Sequence, residues 1–196
     1  MSKTGLNNKK AAFLASNGFC EREFLQAYNA FKKVGIDCRL VSDKNALIKG
    51  WNELASSEES NWGDGYAADV LIENALASDY DILVVPGGVR SIEKLKLCLN
   101  IRSFVSAFIT TGKPVVAYNR AIDLLVNTGL VNGYSLAAEE ALCRMAEGSD
   151  TVCVDESFVV NKNLITLSYF EDVGDKILSA VSSILAGEEY TPSKVA

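Results

Sequence analysis

The amino-acid sequence predicts a three-layer α/β/α sandwich around a mostly parallel sheet, and three observations support this fold class. Ile82–Val85 and Val115–Tyr118 are continuous apolar runs, as expected for strands that are covered on both faces. Phe24, Tyr28 and Phe31 recur at helical spacing between two segments that resemble strands. Segments of both kinds then alternate along the chain, which favours helices on the two faces of one sheet.

The first elements predict a β-α-β unit. Residues 10–16 form a short apolar run that ends at Asn17-Gly18, and the helix that follows ends at Gly35. Residues 37–42 then predict the second strand. Because a helix connects the two strands, we expect them to be parallel.

Residues 43–66 interrupt this regular pattern. They hold both tryptophans of the chain, Trp51 and Trp62, in a polar, glycine-containing stretch. We expect a small antiparallel hairpin near Ala46–Gly50, followed by a loop. A loop of this length is more often functional or interfacial than idle.

Regular elements return in the second half of the chain. Apolar spacing predicts helices at residues 101–109, 120–128, 139–146 and 173–184, and strands at residues 151–154, 158–160 and 164–167. We expect residues 10–186 to form a single domain. Residues 1–9 are expected to be disordered or extended, and residues 187–196 to form a flexible tail.

Composition narrows the possible functions. The chain contains no histidine, so Ser-His-Asp and Cys-His catalysis are impossible within it. Its 19 Lys and Arg against 25 Asp and Glu give a net charge of −6, which argues against sequence-independent nucleic-acid binding. No apolar run approaches the roughly 18 residues of a membrane span, and the polar N-terminus is unlike a secretory signal. The five cysteines form no CxxC pair, so we expect reduced thiols in the cytoplasm. Cysteine and carboxylate metal sites stay possible in principle, but we expect neither a metal nor a cofactor.

Polar residues and glycines follow three of the predicted strands. In parallel α/β sheets, ligands bind beyond the carboxyl ends of the strands. The segments at these ends are Asn17–Glu23, Pro86–Gly88 and Tyr118–Arg120. The sequence therefore predicts that these three segments meet at one site.

Two of these segments are turns with a geometric interpretation and a functional one. Pro86–Gly88 can direct backbone N–H groups at an anion, or it is simply a strand-to-helix turn. Tyr118–Arg120 passes from strand to helix with almost no linker, as a nucleophile elbow does. Asn119 at its apex tolerates a positive φ. Its amide is not a useful nucleophile, so we expect no covalent intermediate there.

Three side chains near these turns also have two interpretations. Glu23 is either favoured by the dipole of its helix or is a buried acid that faces the elbow, whereas Glu21 should face elsewhere. Arg120 either anchors an anion or pairs with an acid such as Asp123 or with a neighbouring subunit. Cys20 is either a reactive thiol or a small buried hydrophobe.

Several segments resemble the ThiJ/PfpI superfamily, whose class I glutamine amidotransferase-like fold implies a flavodoxin-like sandwich. Ser78–Leu95 (SDYDILVVPGGVRSIEKL) and Gly112–Gly133 (GKPVVAYNRAIDLLVNTGLVNG) carry the resemblance most clearly. Asn17–Glu23 (NGFCERE) resembles the acid-bearing first loop of the family. Gly50–Ala75 and Val154–Thr166 resemble the insertion and the late hairpin of its PfpI-type intracellular protease/amidase branch.

The resemblance implies an elbow cysteine, a nearby glutamate, and an oxyanion hole made by a Gly-Gly turn and the N–H after the elbow. It also implies peptidase, amidase, glyoxalase, deglycase or chaperone activity, and dimers or hexamers. This chain matches the family's site only at Glu23 and at the Gly87-Gly88 turn. Asn119 stands at the cysteine position and Arg120 at the histidine position. Without a thiolate, nucleophilic attack loses its first step.

Three hypotheses follow from this departure. The first is a non-catalytic homologue that binds a small polar or anionic ligand at Glu23, Gly87, Gly88, Asn119 and Arg120. The second is an active hydrolase or lyase that uses Glu23 with water, or Cys20 as the nucleophile. The third is a structural or interaction protein. We expect a homodimer or a higher homo-oligomer in any case.

Overall fold

A seven-stranded sheet forms the centre of the computed structural model, which describes residues 6–52, 61–138, 143–144, 150–168 and 173–191. The strands are β1 (Lys10–Leu14), β2 (Phe19–Cys20), β3 (Asp37–Ser42), β4 (Leu47–Trp51), β5 (Trp62–Ala67), β6 (Val70–Leu71), β7 (Ile82–Val85), β8 (Val115–Tyr118), β9 (Ser135–Ala137), β10 (Val152–Val154), β11 (Phe158–Asn161) and β12 (Leu164–Leu167). The α-helices of the described residues are α1 (Glu21–Lys33), α2 (Val89–Lys96), α3 (Leu99–Thr110), α4 (Ala121–Asn127) and α5 (Gly174–Ala186).

The strand order of the central sheet is β11-β12-β8-β7-β1-β3-β6. Every neighbouring pair is parallel except β11 with β12 at one edge. The five inner strands, numbered along the chain, follow the order 2-1-3-4-5, which is the flavodoxin-like arrangement. The predicted fold class is therefore confirmed. In this arrangement the order reverses between β1 and β7, so a ligand crevice is expected where these two strands end.

Alternating side chains of the sheet build two hydrophobic layers. Ala11 and Phe13 of β1 face the layer that contains α1 and α5, where they pack with residues such as Phe31 and Ile177. Ala12 and Leu14 face the opposite layer, which contains α2, α3 and α4. Because successive strand residues point to opposite faces, each continuous apolar run in the sequence contributes side chains to both hydrophobic layers.

A separate three-stranded sheet lies next to the start of α1. Strand β2 pairs with β4 in parallel, and β4 pairs with β5 in antiparallel fashion. The predicted small antiparallel sheet is present, but it extends beyond Ala46–Gly50: residues 47–51 form one arm, and residues 62–67, which were expected to lie in a loop, form the other. Trp51 and Trp62 are register partners across these two arms. The two tryptophans are distant in sequence, so no local turn signal predicts their pairing.

Most other elements occur where the sequence places them. The strands at residues 37–42, 82–85, 115–118 and 164–167 match the prediction to the residue. The strands β2, β6 and β9 were missed, since two or three residues are too few to show a period. Of the helix predicted at residues 139–146, only residues 143–144 lie within the described residues, and they are helical.

Parts of the two predicted termini, residues 1–5 and 192–196, lie outside the described residues, so the domain boundaries stay a prediction. Within the described residues, no helix is both long and apolar enough to cross a membrane.

Candidate functional site

The three predicted strand ends meet beyond the carboxyl ends of β1, β7 and β8. The N–H of Gly87 donates a hydrogen bond of 2.6 Å to Oε2 of Glu23. A Cβ atom placed on Gly87 would lie 3.1 Å from the carbonyl oxygen of Tyr118 and 3.3 Å from the amide nitrogen of Arg120. Glu23, the Gly87-Gly88 turn and the elbow around Asn119 are therefore in contact, as the sequence predicts.

Glu23 reaches this crevice because α1 begins immediately beside it. The residue lies in the first turn of α1 and is 5% exposed, on the same buried side of the helix as Phe24 and Ala27. Its carboxylate faces the Gly87 N–H, so a buried acid and a backbone donor form one unit next to the elbow. Of the two interpretations, the buried acid that faces the elbow agrees with this geometry.

Glu21 faces away from the crevice, as predicted from the helical rotation between the two residues. Its Oε1 accepts hydrogen bonds of 2.8 Å from the N–H of Asp64 and from the hydroxyl of Tyr66, both in β5. Burial, together with the hydrogen bond to Glu21, raises the pKa of Tyr66, so its hydroxyl stays protonated. Glu21 thus fastens the small sheet to α1 and leaves Glu23 as the acid of the crevice.

The Gly87-Gly88 turn packs directly on the loop that precedes α1. The carbonyl oxygen of Gly87 accepts a hydrogen bond of 2.9 Å from the N–H of Cys20. Gly88 has a φ of 99°, and a Cβ on it would lie only 2.6 Å from the carbonyl oxygen of Gly18 and 2.7 Å from the nitrogen of Cys20. Close approach of two backbones therefore requires glycine at position 88.

Asn119 occupies the apex of a tight strand-to-helix turn. Its φ is 41°, which lies in the left-handed region. The N–H of Asn119 donates a hydrogen bond of 2.6 Å to the carbonyl oxygen of Leu167 in β12, and its own carbonyl accepts one of 3.0 Å from the N–H of Ile122. The elbow is thus fixed from both sides, and an asparagine stands at its apex.

Tyr118 belongs to a segment that was predicted to reach the site, but no role was predicted for its side chain. It is 2% exposed, and its hydroxyl donates a hydrogen bond of 3.2 Å to Oε1 of Gln26 in α1. Burial raises the pKa of Tyr118 well above its usual range, and the neighbouring Glu23 and Cys20 raise it further. The signal that could have revealed this residue is a polar hydroxyl at the end of an otherwise aliphatic strand.

Arg120 does not have the intramolecular partner that the sequence suggested. Oδ2 of Asp123 lies 2.5 Å from Nζ of Lys96 in α2, so the suggested pairing of Asp123 with Arg120 was wrong. The reason is that α2 and α4 pack side by side, which brings Lys96 to the buried acid. Arg120 itself is half-buried at the N-cap of α4, directly before its first residue.

Cys20, the proposed reactive thiol, lies at the end of β2, where it precedes the first residue of α1. It is 6% exposed. The hydrogen bond from its N–H to the carbonyl oxygen of Gly87 places it close to the elbow, and its reactivity stays a prediction. The five cysteines all lie in described segments and form no disulfide. The described part of the chain holds no cluster of three or more acids and cysteines able to bind a metal ion.

Arg90 forms the rim of the crevice and was missed by the sequence reasoning. Its guanidinium lies 4.4 Å from the ring centroid of Trp51 and 5.9 Å from that of Trp62, and the two rings meet edge to face at 5.0 Å. Its side chain also packs against Gly18, where a Cβ would lie 2.7 Å from the Cβ of Arg90. The β4–β5 hairpin is thereby attached to the loop that leads into α1.

This arrangement is that of a flavodoxin-like α/β sandwich with a candidate site at the topological switch point, between the acid at the start of α1 and the elbow. The sequence profile of the DJ-1/PfpI family matches residues 9–181, and the chain belongs to this family.

Relatives of similar length have comparable sequences. The chain is 26% identical over 165 residues to General stress protein 18 of Bacillus subtilis, a match that covers 84% of this chain and 90% of that protein. It is 29% identical over 170 residues to an uncharacterised protein of Staphylococcus haemolyticus, covering 85% of this chain and 92% of that protein.

Solved structures agree with the fold. A two-domain protein of Anabaena variabilis, with DJ-1/ThiJ/PfpI-like and ferritin-like domains, superposes with a TM-score of 0.81 at 24% identity. That match covers 96% of this chain and 52% of the two-domain chain. A DJ-1 superfamily protein of Salmonella typhimurium superposes with a TM-score of 0.74 at 23% identity, covering 92% of this chain and 91% of that one.

Proposed function

We propose that this chain is a non-catalytic member of the DJ-1/PfpI family that binds a small polar or anionic ligand at the crevice. The observation that carries the proposal is Asn119 at the left-handed apex of the elbow. The family resemblance places a cysteine nucleophile at this position, and a carboxamide cannot replace a thiolate in attack on a carbonyl.

The side chains around the crevice favour binding. Asn119 offers both donors and an acceptor, and Arg120 offers a charged donor on the next residue. Glu23 is already bonded to the Gly87 N–H, so its charge is partly compensated by a backbone dipole. A compact ligand with a carboxylate or a similar oxyanion, and with a hydroxyl beside it, matches this mixture of donors and one acid.

The catalytic part of the proposal is tested by turnover. We expect the purified protein to convert neither methylglyoxal nor chromogenic amide substrates above the rate without protein. Asn119→Ala should leave that result unchanged. Turnover by the wild type that disappears in Asn119→Ala would overturn the non-catalytic assignment.

The binding part is tested with glycolate and glyoxylate as probes, by isothermal titration calorimetry. We expect saturable binding to the wild type. Arg120→Ala should raise the Kd by about tenfold or more, equal to about 1.4 kcal/mol. Arg102→Ala removes an exposed arginine from α3 and serves as the matched control with an unchanged Kd. Equal loss in both variants, or no binding of either probe to the wild type, would contradict a ligand anchored at Arg120.

An active hydrolase or lyase is the second candidate, and the position of Glu23 favours it. The carboxylate is buried at the elbow, where it could activate a water, and Cys20 lies nearby. If Glu23 acts in this way, Glu23→Gln should abolish any turnover detected. If Cys20 acts instead, a thiol-reactive probe should label Cys20 faster than the other four cysteines.

A further inference from the structure

Two cysteines meet away from the crevice, beside the small sheet formed by β9 and β10. These strands are parallel, and Cys153 of β10 is the register partner of Leu136. Sγ of Cys143 donates a hydrogen bond of 3.4 Å to the carbonyl oxygen of Ala138, the residue that directly follows β9. The thiol of Cys153 is in turn hydrogen-bonded to Cys143. The two sulfurs are therefore neighbours, although ten positions separate them in the sequence.

We propose that Cys143 and Cys153 are a thiol–disulfide redox site, which closes to an intramolecular disulfide when hydrogen peroxide oxidises the protein. Both residues are half-buried, so a small oxidant can reach them, whereas Cys20 and Cys38 are buried. The site is independent of the ligand proposed for the crevice. A disulfide requires sulfurs about 2.0 Å apart, and neighbouring thiols approach this distance by rotation about their side-chain bonds.

The chemical order of the two thiols follows from their contacts. Burial, and then the neighbouring Cys143, raise the pKa of Cys153 to about 12, so Cys153 stays protonated at neutral pH. Cys153 shares a side-chain hydrogen bond with Cys143, and the S–H of Cys143 donates to the carbonyl oxygen of Ala138. Because Cys153 is held protonated, we assign Cys143 as the attacking sulfur and Cys153 as the resolving one.

The reaction balances with one molecule of peroxide. The Cys143 thiolate attacks one peroxide oxygen, the O–O bond breaks, and a sulfenic acid forms while the released hydroxide takes up a proton to become water. The Cys153 sulfur then attacks Cys143 as it loses its own proton, and the S–O bond breaks to release a second water. Two thiols are oxidised by two electrons in total, and the peroxide is reduced to two waters.

The sequence between the two cysteines makes the product easy to identify. Trypsin cleaves after Arg144, so Cys143 falls in the peptide 121–144 and Cys153 in the peptide 145–162. We would treat the folded chain with equimolar hydrogen peroxide at neutral pH, block remaining thiols with N-ethylmaleimide in denaturant, and map the peptides without reduction. The expected result is one linked species with the summed mass of these two peptides less two hydrogen atoms, which a phosphine reductant separates.

Variants and a denatured sample complete the test. Cys98→Ser removes another half-buried cysteine and should leave the link intact, whereas Cys143→Ser and Cys153→Ser should abolish it. Circular dichroism checks that the serine variants fold, and the wild-type peptide map decides the question even if one of them does not. The proposal is overturned if the two thiols are oxidised or alkylated separately, if other cysteines link to them, or if the same link forms equally fast in urea-unfolded protein.

Discussion

At the residue scale, the sequence identifies the polar groups of the crevice better than the contacts that position them. Glu23, Gly87 and Asn119 follow strand ends, and a general rule about parallel sheets brings strand ends together. The contacts of Tyr118 and Arg90 were missed because their partners, Gln26 and Trp51, are distant in sequence and follow no local period. A residue's position in a strand or helix can be predicted from its neighbours, whereas its tertiary partner depends on how the elements pack.

The ion pair between Lys96 and Asp123 gives a residue-scale prediction. Burial alone would lower the pKa of Lys96, but hydrogen bonds to Asp123 and Glu93 outweigh it and raise the pKa above the usual value. Both members of the Lys96–Asp123 pair are largely buried, with side chains 15% and 7% exposed. Asp123→Asn removes the charge that Lys96 faces and should reduce the free energy of unfolding at pH 7 by about 2–3 kcal/mol.

The sign of the pH dependence follows from the raised pKa. The contribution of Lys96 is complete below the usual lysine pKa of about 10.5 and is lost as pH rises through the higher value in the folded protein. In urea unfolding at pH 8, 10 and 11, the difference between wild type and Asp123→Asn should therefore shrink at the highest pH. Asp175→Asn changes an exposed acid of α5 and is the control. A difference that stays constant up to pH 11 would contradict this assignment.

At the scale of elements, long periodic segments were predicted and short or non-local ones were not. The inner strands of the sheet have four or more residues and continuous apolar character, so their positions were clear. Strands β2 and β6 have two residues each and exist only through pairing with neighbours. The β4–β5 hairpin joins arms on either side of residues 53–60, so its pairing could not be read from one local turn signal.

The turn that connects β7 to α2 gives a prediction at this scale. Gly88→Ala introduces a Cβ at a φ of 99°, against the backbone of Gly18 and Cys20. A left-handed conformation costs about 1–2 kcal/mol for a residue with a Cβ, and overpacking against backbone adds about 1–3 kcal/mol. We expect a loss of about 2–5 kcal/mol in the free energy of unfolding, measured by urea titration.

Gly112→Ala is the matched control for this substitution. Gly112 has a φ of 73°, but a Cβ there meets no atom within 4 Å, so only the backbone cost of about 1–2 kcal/mol should remain. The difference between the two variants isolates the close approach of the Gly87-Gly88 turn to the loop before α1. Equal losses in both variants would contradict a steric cost from this close approach.

At the scale of the whole molecule, the fold could be predicted because the order of the elements determines it. A β-α-β unit followed by buried strands and covering helices admits few topologies, since crossovers between parallel strands are right-handed. The chemistry of the crevice does not follow from the fold in this way. Under the proposed function, one side chain at the elbow, Asn119, separates this scaffold from the catalysis that the family resemblance implies.

The last prediction concerns the molecular surface. We expect a homodimer or a higher homo-oligomer whose subunits contact each other through the β4–β5 hairpin. Trp62 is 38% exposed although it packs on Trp51 and Arg90, and exposed tryptophan is enriched among interface anchors. Size-exclusion chromatography with light scattering should give a multiple of the 21.2 kDa chain for the wild type. Trp62→Ala should lower that mass at micromolar concentration.

Leu99→Ala is the control for this experiment. Leu99 is 96% exposed at the start of α3, so the substitution truncates an apolar side chain elsewhere on the surface. It should keep the wild-type mass. A monomeric mass for the wild type would contradict the predicted oligomer. If the assembly persists in Trp62→Ala but dissociates in Leu99→Ala, the interface lies at the α2–α3 junction and not at the hairpin. Trp51 and Trp62 would then act only within their own subunit, where they contact Arg90.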